Sequence, residues 1–300
     1  MDELRDAKEY GSILNISQVD FTALYARIDE VRDDISIFRE VVLSSYLPLI
    51  QVAEVMARKY DVVVTNPPYM GSRGGMDAKL YDYVNKVYPN SKADLYSVFM
   101  ERCHEMTLPT KFYAMITQHG WMFLTSFAEL RNIILHDDIV NLHHLGPRAF
   151  DEISGEVVQS VSFVNRRTDL SDHRGLYTRL LSGNSEKEKE ALSLDESLRY
   201  SVQKRKFSLL AEKSIAYWLS EQDFQNFDNP TLGEYAKPRQ GMATSDNDRF
   251  LRLWHEIGRR RMCISAHNSQ EAIDSRAKWF PYNKGGGFRK WYGNNNYVIN

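Results

Sequence analysis

The chain has 300 residues, 43% hydrophobic and 26% charged, with a net charge of −2, which allows two domains and excludes wholesale disorder, collagen and repeat arrays. Two cysteines, Cys103 and Cys263, exclude a disulfide framework or a cysteine-rich zinc site and point to a reducing cytoplasm. No run approaches the roughly 18–20 uninterrupted apolar residues of a membrane span, and the charged opening Met1–Tyr10 is unlike a signal peptide.

The first sixty residues read as helical. Apolar side chains recur at helical spacing from Ile35 to Tyr60, with Pro48 expected to interrupt them. Tyr60–Thr65 then switches to a β-branched run, the pattern of a buried strand. It ends in Asn66-Pro67-Pro68-Tyr69, where two prolines oppose both helix and ladder. Beyond a glycine-containing loop at 70–75, helices are expected over 77–87, 93–106 and 126–135. Strands are expected over 112–117, 139–145 and 157–164. This alternation predicts an α/β fold with a central, largely parallel sheet, whose ligands sit beyond the carboxyl ends of its strands. The charge run 185–190 reads as a solvated linker or helix start, and a domain boundary is expected within 170–200. A helix near 215–222 and a tail rich in glycine, asparagine and aromatics complete the chain.

Asn66–Tyr69 is the strongest chemical signal, since chance supplies such a tetrapeptide in about one chain of this length per thousand. An exocyclic amine such as adenine N6 is a poor nucleophile, because its lone pair is delocalised into the ring. To attack an electrophilic methyl group it must pyramidalise. The Asn66 side-chain oxygen and the Pro67 carbonyl can accept its two N–H bonds, and rigid prolines fix where that carbonyl points. Tyr69 supplies a flat face on which the base stacks, and a base in a duplex must first be flipped out. Neither cysteine follows a proline, as the nucleophile of a cytosine-C5 methyltransferase does, and both read as structural.

Other features stay open in the sequence. His143-His144 fits a metal pair or two ordinary strand residues, and no supporting Cys/His spacing accompanies it. Arg73-Gly74-Gly75 fits a phosphate contact or a plain loop, and Arg259-Arg260-Arg261 a solvated helix face or a phosphate contact. From Thr231 onward 12 Lys and Arg face 6 Asp and Glu, a net of +6, while the preceding residues carry −8. Such a basic module suits a polyanionic partner. Residues 276–300 interleave seven aromatics with five cations, a mixture for nucleic-acid contact or for a small domain core.

These motifs resemble the γ-class adenine-N6 methyltransferases, most of all those of bacteriophage-exclusion (BREX) and type IIG restriction-modification systems. Asp61–Met70 resembles the catalytic strand and loop, Ala93–Arg102 the next helix, and Phe112–Met122 the following strand. The resemblance implies a partial Rossmann-like methyltransferase sheet flanked by helices, then the start of a smaller α+β target-recognition domain. It divides the chain into a helical lead-in at 1–59, the C-terminal part of a catalytic domain at 60–184, a linker with helices at 185–230, and a truncated recognition domain at 231–300. It implies methyl transfer from S-adenosylmethionine to a flipped adenine in double-stranded DNA, with catalytic Asn66, Pro67, Pro68 and Tyr69. Phe150 becomes a second base-stacking aromatic and Phe99 a neighbour of the cofactor. Arg73, Arg239, Arg249, Lys284, Arg289 and Lys290 become DNA contacts, and other subunits of a defence complex become partners. The chain departs from the family in one respect. Residues 1–60 hold a single glycine, Gly11, and no glycine-rich cofactor loop, so an internal fragment that binds the cofactor weakly or not at all is expected. A non-catalytic DNA-binding fragment and a protein glutamine-N5 methyltransferase are the alternatives.

Overall fold

Helix α1 (Phe21–Arg32) starts at Asp20, whose carboxylate accepts from the Ala23 N–H at 3.0 Å, satisfying one donor of the first turn. Helix α2 (Arg39–Ala57) follows. Pro48 does not interrupt it. Val42–Tyr46, just ahead of the proline, winds as a π-helix, and the wider bonding absorbs the missing proline N–H. Among the described residues α2 alone is long and apolar enough to cross a membrane, and 11% of its most apolar stretch is buried. Ser44, Ser45, Gln51 and Glu54 break its apolar run, so the sequence shows no uninterrupted span. The computed structural model describes residues 2–33, 38–72, 74–150, 158–237 and 242–300; its packing separates two units, Met1–Pro230 and Thr231–Asn300.

The first unit is built on six strands: β1 (Tyr60–Thr65), β2 (Thr107–Gln118), β3 (Asp138–Gly146), β4 (Ser160–Arg166), β5 (Arg174–Arg179) and β6 (Arg199–Gln203). They lie in the order β1-β2-β4-β3-β5-β6. The sheet is mixed, not largely parallel. Only β1–β2 and β3–β5 are parallel pairs; the other three neighbouring pairs are antiparallel. Side-chain alternation reports burial and carries no sign of strand direction, so the sequence pattern missed this. Strands β5 and β6 carry the sheet on from Arg174 to Gln203, across the 170–200 region where a domain boundary was expected.

Helices α3 (Ala78–Val87), α4 (Leu95–Met106) and α5 (Ala128–Ile134) follow β1 and β2. Met100 of α4 and Leu130 of α5 share the main core with Tyr113, Leu142, Val161 and Phe163 of the strands, all 2% exposed or less. The opposite face is open at the β1 edge, where Val62 and Val64 are 59% and 70% exposed, so β1 is an edge strand and not the buried one its β-branched run suggested. Within the core, the Tyr113 hydroxyl bonds Asp137 at 2.7 Å and receives the Asn165 amide at 2.8 Å. His104 reaches the same carboxylate at 2.7 Å, which ties α4 to the sheet through a buried polar network.

The charge run becomes helix α6 (Glu186–Ser193), capped by Ser185. Lys189 is buried, its ammonium donating to the carbonyls of Leu145, Leu180 and Gly183 at 2.7, 3.1 and 2.7 Å. Burial pushes its pKa down. Lys189→Ala leaves three carbonyls without this donor and should cost about 1–2 kcal/mol in urea unfolding, whereas exposed Lys187→Ala should cost almost nothing. The helix expected near 215–222 starts later, as α7 (Glu221–Asn226), because Ile215 and Tyr217 are buried in an irregular segment.

The second unit contains a three-stranded antiparallel sheet, with β7 (Leu251–Leu253) and β8 (Phe280–Tyr282) on either side of β9 (Tyr297–Ile299). Trp279, Leu251 and Val298 are buried there.

Candidate active site at the end of strand β1

Asn66–Tyr69 leaves the carboxyl end of β1, where the prolines stop ladder pairing. Asn66 and Pro68 are exposed, Pro67 is buried and Tyr69 is half-buried. The chain is thus anchored at Pro67 while the Asn66 carboxamide stays accessible. Asn66 borders a groove of about 450 Å³ on the open face of the sheet, shared with Ile116, Asn141, His143 and Ser162. The Tyr69 ring meets Tyr96 of α4 edge-on, with centroids 5.9 Å apart. Burial pushes the Tyr69 hydroxyl pKa up, and nearby Ser160 opposes that shift. Both hydroxyls are buried without a hydrogen bond of ordinary geometry.

A residue outside the motif holds the loop. Asp94 accepts from the Met70 N–H at 2.9 Å and caps α4, with Ser97 returning a bond to its backbone. The backbones of Met70 and Ser72 add bonds to Leu95 and Ala93, at 2.9 and 3.1 Å. Burial raises the Asp94 pKa, while the Met70, Tyr96 and Leu95 N–H groups oppose the rise. One carboxylate therefore fixes the loop and the start of the helix that carries Phe99. The signal lay in the sequence as Asp94-x-x-Ser97, a capping box.

Phe99 is half-buried and packs against both the main core and the α3 cluster. Phe150 is half-buried beyond β3; the adjoining Gly155–Val157 lies outside the described residues, as do Arg73 and Arg239. In the second unit, Arg249, Arg289 and Lys290 are exposed and Lys284 is half-buried. The Arg249 guanidinium stands 5.0 Å from the Phe250 ring centre. The structure thus brings Asn66–Tyr69 together with Asp94 and Tyr96, and sets the basic residues of the tail in their own unit.

The two neighbouring histidines part company. Alternation along β3 sends His143 to the groove beside Asn66 and His144 into the interior. His144 Nε2 lies 2.7 Å from His119 Nδ1, and its Nδ1 lies 3.0 Å from the Tyr217 hydroxyl. One imidazole donates and the other accepts, which suits two neutral rings. Burial, then the neighbouring His119, pushes the His144 pKa down to about 3, and burial lowers His119 and His143 as well. Unfolded histidine takes up its proton near pH 6.5 while folded His144 stays neutral, so stability falls as pH drops below that value. His144 alone should cost about 2 kcal/mol between pH 7 and pH 5. Urea midpoints at the two pH values check this, and His144→Gln should flatten the difference.

Residues 13–150 match the family model described as Eco57I restriction-modification methylase. The adenine-specific methyltransferase PglX of Lacticaseibacillus casei (strain Zhang) is 42% identical over 260 residues, which are 84% of this chain and 21% of that protein. The adenine-specific methyltransferase BrxX of Escherichia coli O9:H4 (strain HS) is 34% identical over 98% of this chain and 24% of its own length. The chain carries an Eco57I restriction-modification methylase domain over residues 13–150. It spans about a fifth to a quarter of these curated relatives. The family match covers β1, Asn66–Tyr69, Asp94, Phe99 and Phe150. Among solved structures, a DrdV–DNA complex is similar with a TM-score of 0.42, at 16% identity, over 59% of this chain and 20% of that one.

Proposed function

We propose that this chain carries the base-positioning half of a site-specific DNA adenine-N6 methyltransferase in a restriction-modification or phage-exclusion system. The observation that carries the reading is Asn66–Tyr69 at the carboxyl end of β1, with an exposed carboxamide, a buried proline and the following Met70 N–H held by Asp94. In this reading the Asn66 side-chain oxygen and the Pro67 carbonyl accept the two N–H bonds of a flipped adenine. Their direction favours the pyramidal amine that attack requires, and preorganised dipoles of this kind lose nothing to reorganisation during reaction. Tyr69 and Phe150 stack on the base, and duplex DNA is the acceptor. Residues 60–184 are the catalytic part, 185–230 complete its sheet and core through β6, and 231–300 belong to the target-recognition domain. Arg73, Arg239, Arg249, Lys284, Arg289 and Lys290 neutralise phosphates.

S-adenosylmethionine supplies the methyl group in this family reading. The described residues fit only part of that molecule. Phe99 offers an aromatic surface, but the segment ahead of β1 is helical and contains one glycine, so no glycine-rich turn meets the carboxylate or ribose. That mismatch favours the second reading, in which this polypeptide by itself binds DNA without catalysis. Isothermal titration with S-adenosylmethionine, with and without adenine-containing duplex, separates the two. The account expects heat with DNA and little with the cofactor alone; tight cofactor binding would place a complete site within these residues.

A further inference from the structure

We propose that the loop joining β8 to β9 is a nucleobase-stacking site for DNA, with Trp291 and Tyr292 as the stacking faces. The proposal rests on the reading of DNA as the partner and adds a second base contact to the one after β1. Its first observation is exposure. Phe288, Trp291 and Tyr292 are 88%, 88% and 84% exposed, three large rings within five residues. Large aromatic rings are on average well buried, so a cluster of them left in solvent marks a surface for a partner.

The second observation is the chemistry around those rings. From Arg276 to Asn300 the chain has five cations and no Asp or Glu. The Lys290 ammonium lies 5.4 Å from the Trp291 ring centre, and that of Lys284 lies 5.0 Å from the Tyr297 ring centre. An apolar protein partner would match the rings but leave this charge uncompensated. A nucleic acid matches both, because phosphates take the cations while bases take the rings.

The third observation is that the loop is held in shape. Its ends are paired through Tyr282 and Tyr297, and Asn294 donates to the Gly287 carbonyl at 3.3 Å. The Arg289 side chain lies across Gly293, where an added Cβ would come within 2.6 Å of it. Between the two limbs is a hollow of about 410 Å³ bordered by Asn283, Lys284, Trp291, Tyr292 and Asn295. The hollow has room for one base, and the Asn283 and Asn295 carboxamides carry the donor and acceptor needed along a base edge.

The test uses the whole chain without S-adenosylmethionine and duplex DNA carrying 2-aminopurine at an unpaired position, with a fully paired duplex as comparison. Wild type should bind the unpaired probe more tightly and quench its fluorescence. Trp291→Ala or Tyr292→Ala should weaken that binding about tenfold and abolish the quenching, while Trp291→Phe retains most of both. Lys290→Gln should reduce the salt dependence by about one counterion and leave the quenching in place. The rings are exposed, so these variants should fold, and circular dichroism checks that they do. Wild-type affinity and quenching in both alanine variants would overturn the proposal. So would failure of wild type to bind either duplex, which would remove DNA as the partner on which the proposal rests. The readout involves no methyl transfer, so either result leaves the reading of Asn66 to its own test.

Discussion

Asn66→Ala should lower adenine methylation by the methyltransferase of which this chain is the base-positioning half on the order of 10²–10³-fold, the usual cost of removing one preorganised polar group from a reaction centre. The side chain is exposed, so little stability depends on it, and thermal melting should be nearly unchanged. Asn66→Asp should behave differently. A carboxylate also accepts N–H bonds, so partial activity should survive in Asp where it is lost in Ala. Measured rates of tritiated methyl incorporation into duplex DNA, with melting curves for each variant, separate a chemical defect from a folding one. A purely structural role for the asparagine would instead move the melting curves and the rates together.

Asp94→Ala should cost about 3 kcal/mol of stability and reduce activity as well. It removes a helix cap, worth about 1 kcal/mol, and a charge-assisted bond to the Met70 N–H, worth about 1.5–3 kcal/mol. The second loss frees the loop just beyond Tyr69, so Asn66 and Pro67 no longer hold their directions. Asp94→Asn keeps one acceptor oxygen and should recover more than half of the stability. Urea denaturation of the three proteins checks the energies. Hydrogen exchange at Met70 and Leu95 checks the release: both amides should exchange faster in Asp94→Ala than in wild type.

What the sequence disclosed about the fold depended on the physical code behind each feature. Strand β1 and its abrupt end were legible because β-branched residues followed by two prolines admit almost no other local structure. The mixed direction of the sheet was not, because alternation along β2, β3 and β4 is the same whichever way each strand runs. Strands β5 and β6 escaped because Arg174-Gly175 and Arg199-Tyr200 open them with polar residues or glycine, as short segments near a sheet edge commonly do. Pro48 looked like a break because the sequence does not announce the π-turn that accommodates it.

The site divides in the same way. Asn66–Tyr69 was visible as a motif, since its chemistry is local to four residues. The separate fates of His143 and His144 followed from strand alternation alone, once the strand was recognised. The link from His144 to His119 and Tyr217 did not, because it joins three segments far apart in the chain. Asp94 stood in a readable capping pattern, but its second role, receiving the Met70 N–H, exists only in the folded chain. The stacking loop was half legible. Composition showed aromatics among cations, and the structure showed that Phe288, Trp291 and Tyr292 face outward while Trp279 and Val298 form the interior.

The most direct measurement is of N6-methyladenine, by mass spectrometry and modification-sensitive sequencing, in DNA from cells expressing the gene at its native locus as wild type and as Asn66→Ala. The account predicts N6-methyladenine at one recurring sequence in wild type, and its loss in the variant at equal protein level. Methylation that persists unchanged in Asn66→Ala, or a methyl group found on protein glutamine in place of DNA, would contradict it.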